Sequence, residues 1–125
     1  MTRRKARTDQ INNIVVVTDL HAGCRLGLCP PSGAKMDDGG HYMPSRLQRV
    51  VWDWWTEFWD EWVPKVTHGE PYDIVLNGDA IEGVHHRATS QISHNIEDQC
   101  AIALDILPPI LERCRYFYMV RGTPA

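Results

Sequence analysis

Two short polar motifs in this sequence combine the residue types that bind divalent metal ions. Asp19 and His21 follow the apolar run at 14–17, and Asp79 comes just after a second apolar run. Because alternate residues of an extended segment share a face, Asp19 and His21 can point at one ion. Mixed carboxylate and imidazole ligands suit manganese, iron or zinc better than calcium. Two such ions about 3.5–4 Å apart can clamp a phosphate and deprotonate a water molecule for in-line attack.

The placement of these residues favours a metal site over a purely structural role. In open α/β sheets, sites form just beyond the carboxyl ends of the strands. Adjacent strands would therefore bring Asp19, His21 and Asp79 to one edge, where Asp79 can bridge two ions with its two carboxylate oxygens. In the alternative interpretation, both aspartates cap the loops or helices that follow them, and His21 is an ordinary polar neighbour.

Other titratable residues follow the second motif. His85 and His86 are candidates for contacting the phosphate or for acting as general acid, and a solvated pair of loop residues is the equal alternative. Glu82 is a candidate for supporting a metal ligand or for an exposed position. His41 and His94 are expected to be surface groups.

The elements that must position these residues alternate between strand and helix. Five segments are predicted in order: strand 13–18, helix 45–64, strand 72–77, helix 92–115 and strand 116–120. This order predicts an α/β fold, a βαβαβ unit with a parallel sheet and right-handed crossovers. Since the run at 14–17 is apolar throughout, its strand is expected to be central and covered on both faces.

The first predicted helix carries all five tryptophans of the chain. Ser45 and Gln48 fit a capping box at its start, and Pro64 is expected to end it. Apolar residues recur in it at helical spacing: Leu47, Val50, Val51, Trp54, Trp55, Phe58, Trp59 and Trp62. We expect this stripe to pack in the core with one or two indoles exposed. The alternative is a stripe that binds a partner or stacks nucleobases.

The second predicted helix contains a proline pair, Pro108 and Pro109, which is expected to kink or split it because proline lacks a backbone donor. Its apolar face is expected to comprise Ile96, Cys100, Ile102, Ala103, Ile106 and Leu107. Cys24 and Cys29 lie in a loop at 22–44 that is rich in glycine and proline, and long loops of this kind are usually functional or mobile. Unligated thiols are expected there rather than a zinc knuckle, since no CxxC pair supplies further ligands.

Composition places the chain among ordinary globular proteins. Of its 125 residues, 43% are hydrophobic and 23% are charged, and neither a membrane-spanning run nor a secretory signal is visible. A soluble cytoplasmic protein is therefore expected. Two parts are distinguished: a basic tail, residues 1–12, with Arg3, Arg4, Lys5 and Arg7, and one domain, residues 13–125. The tail can contact nucleic acid, but a net charge of −7 over residues 8–125 argues against broad binding to a phosphate backbone.

The two motifs together resemble those of the calcineurin-like metallophosphoesterases, and the residues around them are closest to bacteriophage members. The family pattern runs D-x-H, then G-D, then G-N-H with an acidic residue, then two later histidine motifs. Asp19-Leu20-His21 and Gly78-Asp79 match the first two. The resemblance implies that Asp19 and His21 bind one metal ion and that Asp79 bridges to a second. It implies an α/β sandwich that hydrolyses a phosphomonoester or phosphodiester by attack of a metal-bound hydroxide.

The third family motif is altered in this chain. Gly122-Thr123-Pro124 stands where the family has G-N-H, so Thr123 replaces a ligating asparagine and the catalytic histidine is absent. The later histidine motifs have no counterpart in these 125 residues, so the resemblance covers the N-terminal half of a family domain. Weak or no catalysis is expected from this chain alone. Three interpretations are open: the chain is a fragment of a longer enzyme, a partner chain completes it, or it is a degenerate relic.

Two further expectations concern partners. The third strand is expected at an unprotected sheet edge, which favours self-association. The alternative function is a non-enzymatic module that binds nucleic acid or protein through the basic tail and the tryptophan-rich helix.

Overall fold

A three-stranded parallel sheet organises the chain, in a computed structural model that describes residues 10–83 and 91–122. The strands are β1 (Asn13–Val17), β2 (Ala34–Lys35), β3 (His41–Tyr42), β4 (Tyr72–Asn77) and β5 (Phe117–Val120). Strands β1, β4 and β5 form the parallel sheet in the order β1-β4-β5, and β2 and β3 form a small antiparallel pair. The predicted α/β class and parallel sheet are confirmed.

Among residues 10–83 and 91–122, strand β1 is an edge strand covered on one face, so the prediction of a central strand buried on both faces is wrong. Val15 and Val17 are buried, whereas Ile14 and Val16 are 64% and 58% exposed. Within the described residues β4 is the central strand. An apolar run indicates a strand, but it does not say how many layers cover the strand. The core includes Val15, Val17, Ile74 and Leu76 of the sheet and Trp59, Val63, Ile102 and Ile106 of the helices.

Helix α1 (Arg46–Glu57) begins at the predicted capping box. The backbone N–H of Gln48 donates to the Ser45 hydroxyl oxygen at 3.2 Å, and the backbone N–H of Ser45 donates to Gln48 Oε1 at 3.0 Å. These two bonds satisfy donors that a helix start would otherwise leave without partners.

Pro64 does not end the helical segment, contrary to the prediction. A π-helical turn spans Phe58–Trp62, and helix α2 continues over Val63–Thr67. The N–H of Val63 donates to the carbonyl of Phe58, five residues back. Pro64 therefore stands in the first turn of a new helix, where its missing N–H is tolerated.

Much of the apolar stripe lies outside the core, which corrects the expected packing. Trp59 is buried, but four members are 40% to 63% exposed: Leu47, Val50, Trp54 and Trp62. The stripe is too wide for the three-stranded sheet to cover. Two of the five indoles are exposed, in agreement with the expectation of one or two.

Helix α3 (Ile96–Leu111) is shorter than predicted and is not split by its prolines. It begins after Asn95, whose Oδ1 accepts from the Glu97 N–H at 2.9 Å. Pro108 and Pro109 occupy its last turn. The carbonyls left without helical donors belong to residues 104 and 105, which are exposed, so solvent can satisfy them.

The predicted apolar face of α3 is wrong at its first two members. Ile96 is 42% exposed and Cys100 is exposed, while the buried face comprises Asp98, Gln99, Ile102, Ala103, Ile106, Leu107 and Ile110. The first turn faces polar loops instead of the sheet, since Asp98 Oδ1 accepts from the Asp37 N–H at 2.9 Å.

The long loop at 22–44 is fixed by one buried side chain. Gln48 is 1% exposed, and its Nε2 donates to the carbonyls of Cys24 at 3.1 Å and Gly27 at 3.0 Å. Its Oε1 accepts from the Tyr42 hydroxyl at 2.6 Å as well as from Ser45. Helix α1 therefore anchors both the loop after β1 and the β2–β3 pair.

The remaining predictions concern the edge of the sheet, the basic tail and membrane-spanning segments. Strand β5 is an edge strand within the described residues, as predicted, and self-association through it stays a prediction. Residues 3–7 of the basic tail lie outside the described part of the chain. None of the helices among the described residues is both long enough and apolar enough to cross a membrane.

Replacing Gln48 with alanine is expected to lower the free energy of unfolding by about 2–4 kcal/mol, because buried carbonyls of the loop lose their donors. Urea denaturation measures this change. Arg49→Ala, at the exposed neighbouring position, is the matched control and should change stability by less than about 0.5 kcal/mol. Equal stabilities for the two variants would contradict the anchoring role.

Burial raises the pKa of the Cys29 thiol from its ordinary value of 9.0 to about 11, with a smaller contribution from Asp105. The folded chain therefore holds this proton more tightly than the unfolded chain does. The associated stability is present in full below pH 9 and is lost as the pH rises toward 11.

The stability difference between the wild type and Cys29→Ala should accordingly shrink between pH 8 and pH 10.5 in urea titrations of both proteins. A difference that stays constant over this range would refute the raised pKa.

Candidate metal centre

Backbone hydrogen bonds hold the segments after β1 and β4 side by side. The N–H of His21 donates to the carbonyl of Asp79 at 2.9 Å, and the N–H of Ala22 donates to the carbonyl of Ala80 at 2.9 Å. The parallel pairing of the two strands thus continues past their ends. The N–H of Asp19 also donates to the carbonyl of Gly78 at 3.3 Å, which brings Asp19 next to the segment that carries Asp79.

All three predicted ligands have a left-handed backbone. The φ angle is 57° at Asp19, 47° at His21 and 52° at Asp79. Only four non-glycine residues in the described part of the chain have positive φ, and these are three of them. Such conformations cost about 1–3 kcal/mol each and cluster at functional sites. The fold therefore maintains three unfavourable backbone positions at one sheet edge.

The side chains of these residues converge. One ligand atom from each of Asp19, His21 and Asp79 lies within 4.8 Å of the other two, and Asp19 Oδ1 is 3.2 Å from His21 Nε2. Ligand atoms about 2.1 Å from a shared ion lie about 3.0–3.4 Å apart, so this pair has the spacing of ligands to one ion. The strand-end argument correctly predicts that the three side chains lie close together. The extended segment predicted for Asp19 and His21 is wrong, because both residues have positive φ angles. Metal binding by these residues stays a prediction.

Glu82 orients the His21 ring. Its Oε2 lies 3.1 Å from His21 Nδ1, and its side chain is only 11% exposed. This contact directs His21 Nε2 toward Asp19 Oδ1, which is 3.2 Å away. Nε2 donates to that oxygen when it carries a proton and offers a lone pair for a metal ion when it does not. Glu82 is therefore placed to support a ligand in the way carboxylates support metal-bound histidines.

Hydrogen bonds hold the pKa of Asp19 below its ordinary value. The largest contribution comes from the Thr18 hydroxyl, 2.6 Å from Asp19 Oδ2, followed by the His21 ring. The Thr18 hydroxyl also lies 2.8 Å from the carbonyl of Asn77, at the end of β4. Asp19 thus keeps the ionised form that a metal ligand needs to a lower pH than an ordinary aspartate does.

Glycines allow the β4 and β5 ends to approach closely. Gly78 turns the chain out of β4 with φ 79°, and a Cβ there would lie 2.7 Å from the Gly122 Cα. A Cβ on Gly122 would lie 2.5 Å from the Asp79 backbone nitrogen and 2.6 Å from Asp79 Oδ1. The Asp79 carboxylate is therefore positioned in part by the segment after β5.

A cavity of about 470 Å³ adjoins the cluster on the β5 side. Asp79 and Glu82 contribute its acidic lining, and Arg121 contributes a guanidinium. Sequence reasoning assigned no role to Arg121 or to Thr18. The available signal was position, because Thr18 ends the first predicted strand and Arg121 directly follows the third.

The other candidate residues are divided between exposed and undescribed positions. His41 and His94 are exposed, as expected. His85 and His86 lie outside the described residues, as does Thr123, so their roles stay predictions. In the parts of the chain that are described, Asp19, His21 and Asp79 form the one cluster of potential metal ligands.

Comparisons of the chain with protein-family models, curated proteins and solved structures find no match. The function of this edge must therefore be argued from its own side chains. Those side chains offer two carboxylates, one oriented imidazole and a nearby guanidinium around an opening to solvent.

Replacing Gly122 with alanine is expected to weaken Mn²⁺ binding at least about tenfold, because the added methyl group must displace the backbone or the carboxylate of Asp79. Isothermal titration calorimetry measures the affinity. Gly40→Ala is the matched control, since its Cβ would meet only the end of the Asp38 side chain. Unchanged Mn²⁺ affinity in Gly122→Ala would contradict the claim that metal binding depends on the present position of Asp79.

Proposed function

We propose that this chain provides a divalent metal site for phosphoester hydrolysis of the calcineurin-like type, acting on a phosphomonoester or a phosphodiester. One observation supports the proposal above all others: Asp19, His21 and Asp79 offer ligand atoms within 4.8 Å of one another at the carboxyl edge of a parallel sheet. Two carboxylates and an imidazole suit manganese, iron or zinc.

Each residue has a distinct role in this proposal. Asp19 and His21 hold the first ion, Asp79 bridges to the second, and Glu82 keeps the His21 ring in its ligating orientation. Bound ions of this kind polarise the phosphoryl group and lower the pKa of a water molecule for attack on phosphorus. Arg121 lines the adjoining cavity, where a guanidinium can bind phosphate oxygens in a bidentate manner.

Three ligands do not fill the coordination spheres of two ions. Further ligands must come from water, substrate oxygens or groups outside the described residues, among which His85 and His86 are candidates. We therefore expect the 125-residue chain to bind metal with incomplete coordination and to hydrolyse phosphoesters weakly or not at all. A C-terminal portion or a partner chain would raise this activity.

A binding module is the second candidate function. The exposed indoles of Trp54 and Trp62 favour it, since aromatic side chains stack on the bases of single-stranded nucleic acid. Tryptophan fluorescence that responds to single-stranded DNA without metal, and loses that response as salt rises, would favour this module. A response to Mn²⁺ alone would favour the metal site.

Replacing Asp79 with asparagine is expected to weaken Mn²⁺ binding by about tenfold to a hundredfold, because the cluster loses the negative charge of the carboxylate that is proposed to bridge the two ions. Affinity is measured by calorimetry. Any hydrolysis of bis-p-nitrophenyl phosphate that Mn²⁺ stimulates should fall in parallel. Binding should also weaken as the pH falls, since protons compete with the metal for the same ligand atoms.

Asp53→Asn is the matched control, because it removes the same charge from an exposed position on α1. It should leave Mn²⁺ affinity unchanged. Equal affinities for Mn²⁺ in the wild type, Asp79→Asn and Asp53→Asn would overturn the proposed function.

A further inference from the structure

A second cavity, of about 340 Å³, opens on the other side of the Asp19 cluster. One wall is helical and consists of Val51, Trp54, Trp55 and Phe58. The other wall is the loop after β1, with Leu20, Leu26, Gly27 and Leu28, and Thr18 and Asp19 lie where the walls meet β1. We call this cavity the tryptophan groove.

The helical wall is fixed by spacing and packing. Residues 51, 54, 55 and 58 are separated by three and four positions, so they share one face of the helix. Trp55 packs edge-on against the buried Trp59 at a centroid distance of 5.5 Å. Trp54 is 63% exposed, and its ring has no aromatic neighbour in the described ranges. One indole is thus held in place while the other presents its surface to solvent.

The loop wall is fixed from within. Leu20 and Leu28 are buried, and the N–H of Leu28 donates to the carbonyl of Leu20 at 2.9 Å. The Gln48 side chain holds the carbonyl of Gly27 at 3.0 Å. A Cβ on Gly27 would lie 2.1 Å from the carbonyl oxygen of His21, so this wall packs directly against the backbone of His21. The groove therefore does not depend on a ligand for its shape.

Charge selects what the groove can hold. Asp19 is the one ionisable side chain in its lining, and the remaining lining residues are apolar except for the Thr18 hydroxyl. Such a surface disfavours additional phosphates and favours an uncharged flat ring, which stacks on indole. The volume lies at the lower end of the range for small-molecule sites, about 300–1,000 Å³.

We propose that the tryptophan groove binds a flat aromatic ring of the phosphoester substrate, such as the base of a mononucleotide or the ring of an aryl phosphate. The inference rests on the proposed function, because Asp19 belongs to both the groove and the metal cluster. A phosphate bound at the cluster of Asp19, His21 and Asp79 would lie next to the groove, because Asp19 also lines the groove. Trp54 then supplies the stacking surface, and the groove sets the preference for aromatic over aliphatic phosphoesters.

Binding of three probes to the Mn²⁺-loaded chain tests this inference by calorimetry and by quenching of tryptophan fluorescence. The probes are adenosine 5′-monophosphate, p-nitrophenyl phosphate and ribose 5-phosphate, which has the phosphate without an aromatic ring. Trp54→Leu is expected to weaken binding of at least one aromatic probe by about tenfold and to leave ribose 5-phosphate unchanged. A loss confined to the nucleotide identifies a base subsite, and a loss confined to the nitrophenyl ester identifies an aryl subsite.

Tyr118→Leu is the matched control, because Tyr118 is a 51% exposed aromatic residue on β5 that does not line the tryptophan groove. It should leave all three affinities unchanged. The groove inference would be overturned if the two substitutions had equal effects. It would also be overturned if the wild type bound the aromatic probes and ribose 5-phosphate equally well. Either result would leave the proposed Mn²⁺ binding intact. If the aromatic probes bound the Mn²⁺-loaded wild type, the metal-free wild type and Asp79→Asn with equal affinity, the proposed metal site would be overturned. The groove would then bind aromatic rings independently of a metal ion.

Discussion

The central constraint on this molecule is the backbone pairing that continues past the ends of β1 and β4. Hydrogen bonds between the two outgoing segments, including His21 to Asp79, maintain backbone angles that the residues would not adopt alone. Each bond contributes about 1 kcal/mol net, which is comparable to the cost of one left-handed residue. The cluster of Asp19, His21 and Asp79 therefore exists because two strands hold their exits in register.

The same constraint connects the site to the rest of the chain. The loop that leaves β1 returns under helix α1, where Gln48 holds its carbonyls, and it also forms one wall of the tryptophan groove. The segment after β5 approaches within contact distance of Asp79 through Gly122. A change in any of these supports is expected to alter the positions of the cluster residues, because each support contacts the backbone on which they lie.

The sequence was sufficient to predict the elements that position the site. The run 72–77 matches β4 residue for residue, and the capping box at Ser45 and Gln48 places the start of α1 correctly. Alternation of strand and helix predicts parallel strands, so Asp19 and Asp79 are expected at one edge if the first two long strands are adjacent, and the structure shows that they are. These features depend on local chemistry and on short-range patterns, which a single sequence records directly.

Features that depend on tertiary packing could not be predicted in this way. The hydrophobic pattern of residues 46–62 does not reveal that Trp54 is exposed while Trp59 is buried, because burial depends on which side chains the rest of the fold contacts. The π-helical turn before Pro64 changes which residues face the core, and no spacing rule anticipates it. The pairing of Glu82 with His21 joins residues on two different loops, so the sequence left the role of Glu82 open.

A crystal structure of the chain grown with Mn²⁺, with anomalous differences measured at the manganese absorption edge, tests the central claim most directly. The account predicts an anomalous peak about 2.2 Å from oxygen atoms of Asp19 and Asp79 and from Nε2 of His21, with Nδ1 still bonded to Glu82. Manganese bound elsewhere, or a peak at this edge without a bond to either aspartate, would contradict it.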